Sequence, residues 1–162
     1  MTHLRLRRLP RALGCVLLLI LAGCAQPPPA APYLATPVAA GTARIWFYRD
    51  LNPNDVLATP YVRLNGAVAG VSVPGGAFYR DVPPGRYHIS TDSYYNDPTL
   101  DRGVDVAPGA EVYAKIVPLE NTVQGGGVVG GGYRRNNYVV WLYPPEAARP
   151  VIAHSYIQAA GS

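Results

Sequence analysis

Cysteine is scarce in this chain of 162 residues, with one copy at position 15 and one at position 24. Both lie near the amino terminus, so the long remainder has no thiol for a disulfide framework or a cysteine nucleophile. The sequence therefore excludes disulfide-stapled folds and thiol-dependent catalysis for that remainder.

An excess of basic charge is also missing once the amino terminus is set aside. The 14 Lys and Arg residues include four arginines before Cys24, so ten basic residues balance the ten acidic ones in the rest of the chain. A near-neutral chain gives no electrostatic reason to bind nucleic acid. Long apolar runs are absent too, since the run from Ala12 to Ala22 is shorter than the roughly 20 residues of a membrane-spanning helix.

The first 23 residues have the parts of an export signal: a basic start, the apolar run and small residues at its end. The run ends in Leu21-Ala22-Gly23-Cys24, which resembles the lipobox of bacterial lipoproteins. The resemblance implies cleavage between Gly23 and Cys24, a lipid thioether on Cys24 and acylation of the new amino terminus. The alternative is an ordinary signal peptide with a chance cysteine.

Several acyl chains on Cys24 would hold the protein firmly on a membrane, whereas one chain gives only reversible attachment. Ala25 follows Cys24 where an inner-membrane retention signal of enteric-type bacteria has Asp. We therefore expect a protein anchored to the outer membrane and facing the periplasm.

Residues 24–41 are mostly Ala and Pro and carry no charge. Such a segment favours extended polyproline II structure and is typical of a tether. Residues 42–162 are enough for one domain and too few for two sizeable cores.

Short β-branched and aromatic segments fill this domain and predict strands. They are 44–48, 61–64, 68–73, 78–82, 86–90, 104–106, 112–117 and 138–143. In the fifth, Tyr87 and Ile89 share one face and His88 lies on the solvent-facing side. The pattern favours an all-β fold, a small antiparallel β-sandwich of prealbumin or immunoglobulin type.

Turn chemistry supports the strand assignment. Asn65-Gly66 predicts a tight hairpin, and the similar Pro83-Pro84-Gly85 and Ala107-Pro108-Gly109 segments predict type II turns with Gly at positive φ. Near the end, residues 145–148 predict a single helical turn with Pro145 at its first position, ended by Pro150.

Four segments carry a resemblance: residues 46–49, the turn at 64–66, Phe78-Tyr79 and residues 82–87, in that order. They resemble the bacterial envelope family catalogued as domain of unknown function 2846. The resemblance covers most of residues 43–145 and implies a prealbumin-like or transthyretin-like sandwich on a lipoprotein. It supplies no catalytic residues.

Cofactor and metal chemistry has little support. Residues 125–130 formally match G-x-G-x-x-G but lack the following helix of a dinucleotide site, which favours a loop between strands and no cofactor. The acidic segment 92–105 lacks the spacing of an EF-hand, which favours a polar surface loop over a calcium site. His88 and His154 have no partners nearby in the sequence, so we predict no metal site and no catalytic residues.

The sequence thus predicts a non-enzymatic, lipid-anchored interaction module for another envelope protein. Its contact would be an edge strand or the loop 120–137, where Tyr133, Arg134 and Arg135 are candidate partner-binding residues, although solvated charges beside a strand are the commoner case. The alternative is a glycan- or peptidoglycan-binding module that uses exposed aromatics such as Trp141 and Tyr143. A hydrolase is the weakest hypothesis, because no nucleophile and base pattern is present.

Overall fold

The computed structural model describes residue 34 and residues 36–52, 58–93, 100–119, 123–124, 133–134 and 137–158. Cys24, Gly23, the signal segment 1–23 and most of the predicted tether lie outside these residues. So do Arg135 and residues 125–132, while Tyr133 and Arg134 are described for their backbone alone.

Eleven strands and one helix make up the described chain. The strands are β1 (Ala43–Tyr48), β2 (Tyr61–Leu64), β3 (Ala67–Val71), β4 (Gly76–Val82), β5 (Gly85–Thr91), β6 (Arg102–Val106), β7 (Glu111–Leu119), β8 (Val123–Gln124), β9 (Tyr133–Arg134), β10 (Asn137–Tyr143) and β11 (Tyr156–Ile157). The helix, α1, spans Pro145–Ala153. All eight predicted strands are present, with ends that differ by one or two residues.

Two main sheets pack face to face, so the predicted all-β sandwich is confirmed. One sheet has the order β10-β7-β1-β4-β11 and the other has the order β3-β2-β5-β6, while β8 and β9 form a separate ribbon. Most neighbouring strands are antiparallel, but β1 pairs with β7 and β4 pairs with β11 in parallel. The five-stranded sheet is therefore mixed.

The sandwich core lies between the two sheets and contains residues from one side of β1 to β7 and of β10. It contains Ala43, Ile45, Phe47, Val62, Ala69, Phe78, Val82, Ile89, Val106, Ala114, Ile116, Tyr138 and Val140. Phe47 and Phe78, which are direct partners on β1 and β4, stack with ring centroids 4.9 Å apart. The alternation predicted for β5 is confirmed, because Ile89 is buried in this core while His88 faces solvent.

A second apolar cluster covers the outer face of the five-stranded sheet. Helix α1 lies there and buries Ala148 and Ile152, which are four residues apart and so share one face of the helix. They pack with Trp46, Tyr48, Ala77 and Tyr113. Strand β1 is consequently buried on both faces along its whole length.

Two of the three turn predictions are confirmed by backbone angles. The type II turn predicted at Pro83-Pro84-Gly85 is wrong, because Gly85 begins β5 with φ 155° instead of the φ near +80° that this turn requires. Asn65 (φ 49°) and Gly66 (φ 83°) both have the positive φ of the type I′ turn that joins β2 to β3. Gly109 has φ 74° after Pro108, and the Ala110 amide donates to the Ala107 carbonyl at 3.1 Å, as in a type II turn.

The helix prediction near the carboxyl end is wrong in its length. Pro145 does occupy the first turn after the Pro144 cap, but the helix continues through Pro150 to Ala153. A proline inside a helix costs about 3 kcal/mol. Burial of Ile152, two residues after Pro150, offsets a large part of that cost, because full burial of an isoleucine side chain stabilises by about 1.5–3 kcal/mol. Ile152 is completely buried, so tertiary packing extends the helix beyond the point at which local propensity ends it.

Within the part of the chain that the structure describes, no helix is long and apolar enough to cross a membrane.

Candidate binding surface

An exposed aromatic surface lies at the β10 edge of the five-stranded sheet. Trp141 and Tyr143 are two residues apart, so both point to the outer face of the sheet, where α1 also lies. Trp141 is 49% exposed, although the other tryptophan, Trp46, is fully buried. An indole that is half exposed in an edge strand is available to stack on a ligand.

A lysine and an aspartate lie beside these rings. The Cα of Lys115 on β7 pairs with that of Trp141 in the sheet register, and its Nζ lies 5.2 Å from the ring centroid of Tyr143. The same Nζ forms an ion pair of 2.6 Å with Oδ2 of Asp50. We call Trp141, Tyr143, Lys115 and Asp50 the aromatic edge.

The polar groups of the aromatic edge differ in their exposure. The Lys115 side chain is 18% exposed and that of Asp50 is 49% exposed. Burial and the nearby Asp50 carboxylate raise the pKa of Tyr48, whose ring meets that of Tyr143 edge-on at 6.5 Å. Tyr48 therefore stays neutral, and the aromatic edge presents one cation and one anion that balance each other.

An open groove continues from Asp50. It has a volume of about 770 Å³ and lies between the chain after β1, the β3–β4 turn and the carboxyl end of α1. Its lining residues are Asp50, Leu51, Pro74, Gly75, Pro150, Val151, His154, Ser155 and Tyr156. Leu51 and Tyr156 are 78% and 72% exposed, so the groove offers apolar surface to solvent.

Under the helix, a network of polar side chains connects α1 to the sheet. Glu111 accepts hydrogen bonds from the Tyr113 hydroxyl (2.7 Å), the Trp46 indole (3.4 Å) and Arg149. Burial raises the pKa of Glu111, but the hydrogen bonds from Tyr113, Arg149 and Trp46 outweigh it, so the pKa lies below its usual value. Burial, opposed by the Arg149 hydrogen bond and aided by Glu111, raises the pKa of Tyr113. The network is satisfied internally, which favours a structural role.

Arg44 attaches the residues before β1 to the outer face of the five-stranded sheet. Its guanidinium donates from Nε and Nη2 to the two carboxylate oxygens of Asp81 at 2.7 and 2.8 Å, and from Nη1 to the Thr36 carbonyl at 2.8 Å. It also lies 4.0 Å from the ring centroid of Tyr79. The hydrogen bond to Asp81 raises the pKa of Arg44 despite burial. Thus part of the segment predicted as a tether, from Thr36 onward, contacts the domain, and Leu34 packs against the second cluster.

Among the described residues, the histidines and the acidic segment make separate pairwise contacts. His88 Nε2 lies 3.4 Å from Oδ2 of Asp101, and His154 Nδ1 lies 2.8 Å from the Pro150 carbonyl oxygen. Asp92 forms an exposed ion pair with Arg63 at 2.7 Å. Within the described ranges, no group of three or more His, Cys, Asp or Glu residues is placed to hold a metal ion.

Sequence reasoning found Trp141 as an exposed aromatic residue, whereas Tyr143 is partly buried against the second cluster. It missed Asp50 and Lys115. A signal for the second was present, since Lys115 is the sole lysine of the chain and interrupts an apolar strand. Asp50 gave no signal, because its approach to Lys115 depends on the parallel pairing of β1 with β7.

Comparison of the chain with models of known protein families, with curated proteins and with solved structures found no match.

Proposed function

We propose that this chain is a lipid-anchored, non-enzymatic glycan-binding module of the bacterial envelope, held by lipid on Cys24 and facing the periplasm from the outer membrane. The observation that carries the binding proposal is the exposed indole of Trp141 beside the Asp50–Lys115 ion pair. Sugar rings have apolar faces that stack on aromatic side chains, while their hydroxyls bond to charged groups at the rim.

The expected contribution of Trp141 to the binding free energy follows from the exposed area of its side chain. A tryptophan side chain offers about 200 Å², and half of it remains exposed here, so a stacked ring covers about 100 Å². At about 25 cal/mol per Å² this is worth about 2.5 kcal/mol, which corresponds to about 60-fold in Kd.

The test uses sedimentation of the full chain, purified in detergent, with cell-wall material. Trp141→Ala should lose most of the binding. The matched control is Leu142→Ala, because Leu142 is the next residue of the same strand, is 40% exposed and points to the opposite face. Sedimentation of Trp141→Ala equal to that of Leu142→Ala would refute the assignment of this surface, and failure of the unaltered chain to sediment would refute glycan binding.

The anchor has its own test. The Leu21-Ala22-Gly23-Cys24 segment supports lipidation at Cys24, so Cys24→Ala should move the protein from the membrane fraction to the soluble fraction of the cell envelope. Unchanged membrane attachment of this variant would contradict the proposed anchor.

The absence of catalysis is also part of the proposal. Among the described residues, the two histidines contact a carboxylate and a backbone carbonyl, and neither contacts a hydroxyl. A general base that activates a serine must lie within hydrogen-bond reach of it, so this arrangement favours a binding role.

A second candidate is contact with another envelope protein through β3. This strand lies at the edge of the four-stranded sheet, has no charged residue, and contains Val68, which is 53% exposed. Uncharged edge strands can accept a partner strand. In-cell cross-linking should then yield one reproducible partner that is lost in Val68→Lys and kept in Ser90→Lys, a change on the inner strand β5. Loss in neither variant would remove β3 from the interface.

A further inference from the structure

The groove beside Asp50 has apolar and polar lining residues that are separate from the Trp141 ring. Three of its residues, Leu51, Pro74 and Val151, supply apolar walls. Its polar residues are Asp50, His154, Ser155 and Tyr156, of which His154 and Ser155 contact backbone carbonyl oxygens of α1. Asp50 contributes a carboxylate that is 49% exposed and pairs with Lys115 through Oδ2, and Tyr156 contributes an exposed side chain.

The groove and the aromatic edge are parts of one continuous surface. Trp141, Lys115 and Tyr48 lie side by side on β10, β7 and β1. Neighbouring strands are about 4.8 Å apart, so Trp141 and Tyr48 are separated by about 10 Å. Asp50, two residues beyond Tyr48, lines the groove and holds Lys115. A ligand that contacts both Trp141 and the groove must therefore be longer than a single sugar ring.

The charge balance of the Asp50–Lys115 pair determines which substituent of a sugar ring the groove favours. Because the carboxylate of Asp50 is already balanced by the ammonium of Lys115, the mouth of the groove has no net charge from this pair. A neutral amide can donate its N–H to Asp50 and place a methyl group against apolar walls at little desolvation cost. A free ammonium would be repelled by the ammonium of Lys115 and has no methyl group to place against the apolar walls.

We propose that this groove binds the acetamido groups of an N-acetylated glycan whose neighbouring sugar ring stacks on Trp141. The inference rests on the proposed glycan-binding function and adds to it the class of sugar. The methyl group of the acetamide contacts Leu51 and Val151, its N–H donates to Asp50, and its carbonyl accepts from the Tyr156 hydroxyl.

Binding of defined oligosaccharides to the full chain in detergent tests this assignment. The probes are tetramers of N-acetylglucosamine, glucosamine and glucose, measured by titration calorimetry. We expect the N-acetylated tetramer to bind at least tenfold more tightly than the other two. The double variant Leu51→Ala, Tyr156→Phe should reduce that preference to less than threefold.

Two control variants separate the groove from the stacking surface. Trp141→Ala should weaken binding of all three tetramers in proportion, whereas Val68→Ala on the other sheet should change none. Since Leu51 and Tyr156 are largely exposed, their replacement leaves the core intact, and thermal unfolding of the variants checks this directly.

The outcomes distinguish the two levels of the proposal. Equal affinity for the three tetramers, all weakened by Trp141→Ala, would overturn the acetamido site and leave the glycan-binding function standing. A preference for the N-acetylated tetramer that persists in the double variant would also overturn the groove assignment. Failure of every tetramer to bind would overturn glycan binding and the acetamido site together.

Discussion

Two arginine–aspartate pairs in this domain have similar geometry and very different burial. Arg44 and Asp81 are joined by two hydrogen bonds of 2.7 and 2.8 Å, and Arg63 and Asp92 by two of 2.7 and 3.2 Å. The Arg44 side chain is 2% exposed, whereas those of Arg63 and Asp92 are 34% and 44% exposed. Burial is therefore the main difference between the two pairs.

Replacing Asp81 by Asn should lower the free energy of unfolding by about 3 kcal/mol, because it removes the carboxylate that is bonded directly to the buried guanidinium of Arg44. The value is at the low end for a buried pair, since the Asp81 side chain is 32% exposed and water reaches it. Asp92→Asn, the matched control, should change stability too little to measure, because solvent already screens the Arg63–Asp92 pair.

Urea unfolding of the full chain, followed by tryptophan fluorescence, measures the difference. Trp46 is fully buried and reports on the core, and an unchanged slope against urea would show that both variants unfold over the same surface. The double variant Arg44→Met, Asp81→Leu should lose less stability than Asp81→Asn, because it removes the charge along with its partner. Equal losses for Asp81→Asn and Asp92→Asn would refute the reasoning.

Two further changes test the packing and the charge network. Gly70→Ala should destabilise the domain by about 1–3 kcal/mol in urea unfolding, because the new Cβ would lie 2.5 Å from Cε2 of Phe78. The control is Gly103→Ala, whose new Cβ meets no atom within 4 Å. Equal losses of stability in the two variants would contradict this. Because the pKa of Glu111 is lowered in the folded chain, the ionised carboxylate stabilises the fold at neutral pH, and this stabilisation is lost as the pH falls below 4.5, the usual pKa of the group. The stability difference between the unaltered chain and Glu111→Gln should therefore shrink on acidification. A difference that stays constant from pH 7 to pH 3 would refute the assigned role of Glu111.

The strands of this domain were predictable because their signals are local. Alternation placed Ile89 in the core and His88 in solvent, and the Asn65-Gly66 pair gave the hairpin, since only a few residue types adopt its positive φ values. None of these inferences needs knowledge of a distant segment.

The layer of α1 and the polar part of the candidate site were not predictable in the same way. Helix α1 continues through Pro150 because Ile152 has a place in the second cluster, and that place exists only once the sheet has formed. Asp50 meets Lys115 across a parallel strand pair, whose register a single sequence does not specify. Long-range pairing thus determines both features.

The attachment of the first described residues bears on how the domain responds to force. A pull on the chain ahead of Thr36 passes through the guanidinium of Arg44 and along β1, the central strand of its sheet. Because β1 is hydrogen-bonded to β4 on one side and β7 on the other, such a load shears two ladders at once instead of opening them one bond at a time. The domain is thereby connected to its amino-terminal segment through a central strand that is hydrogen-bonded on both sides.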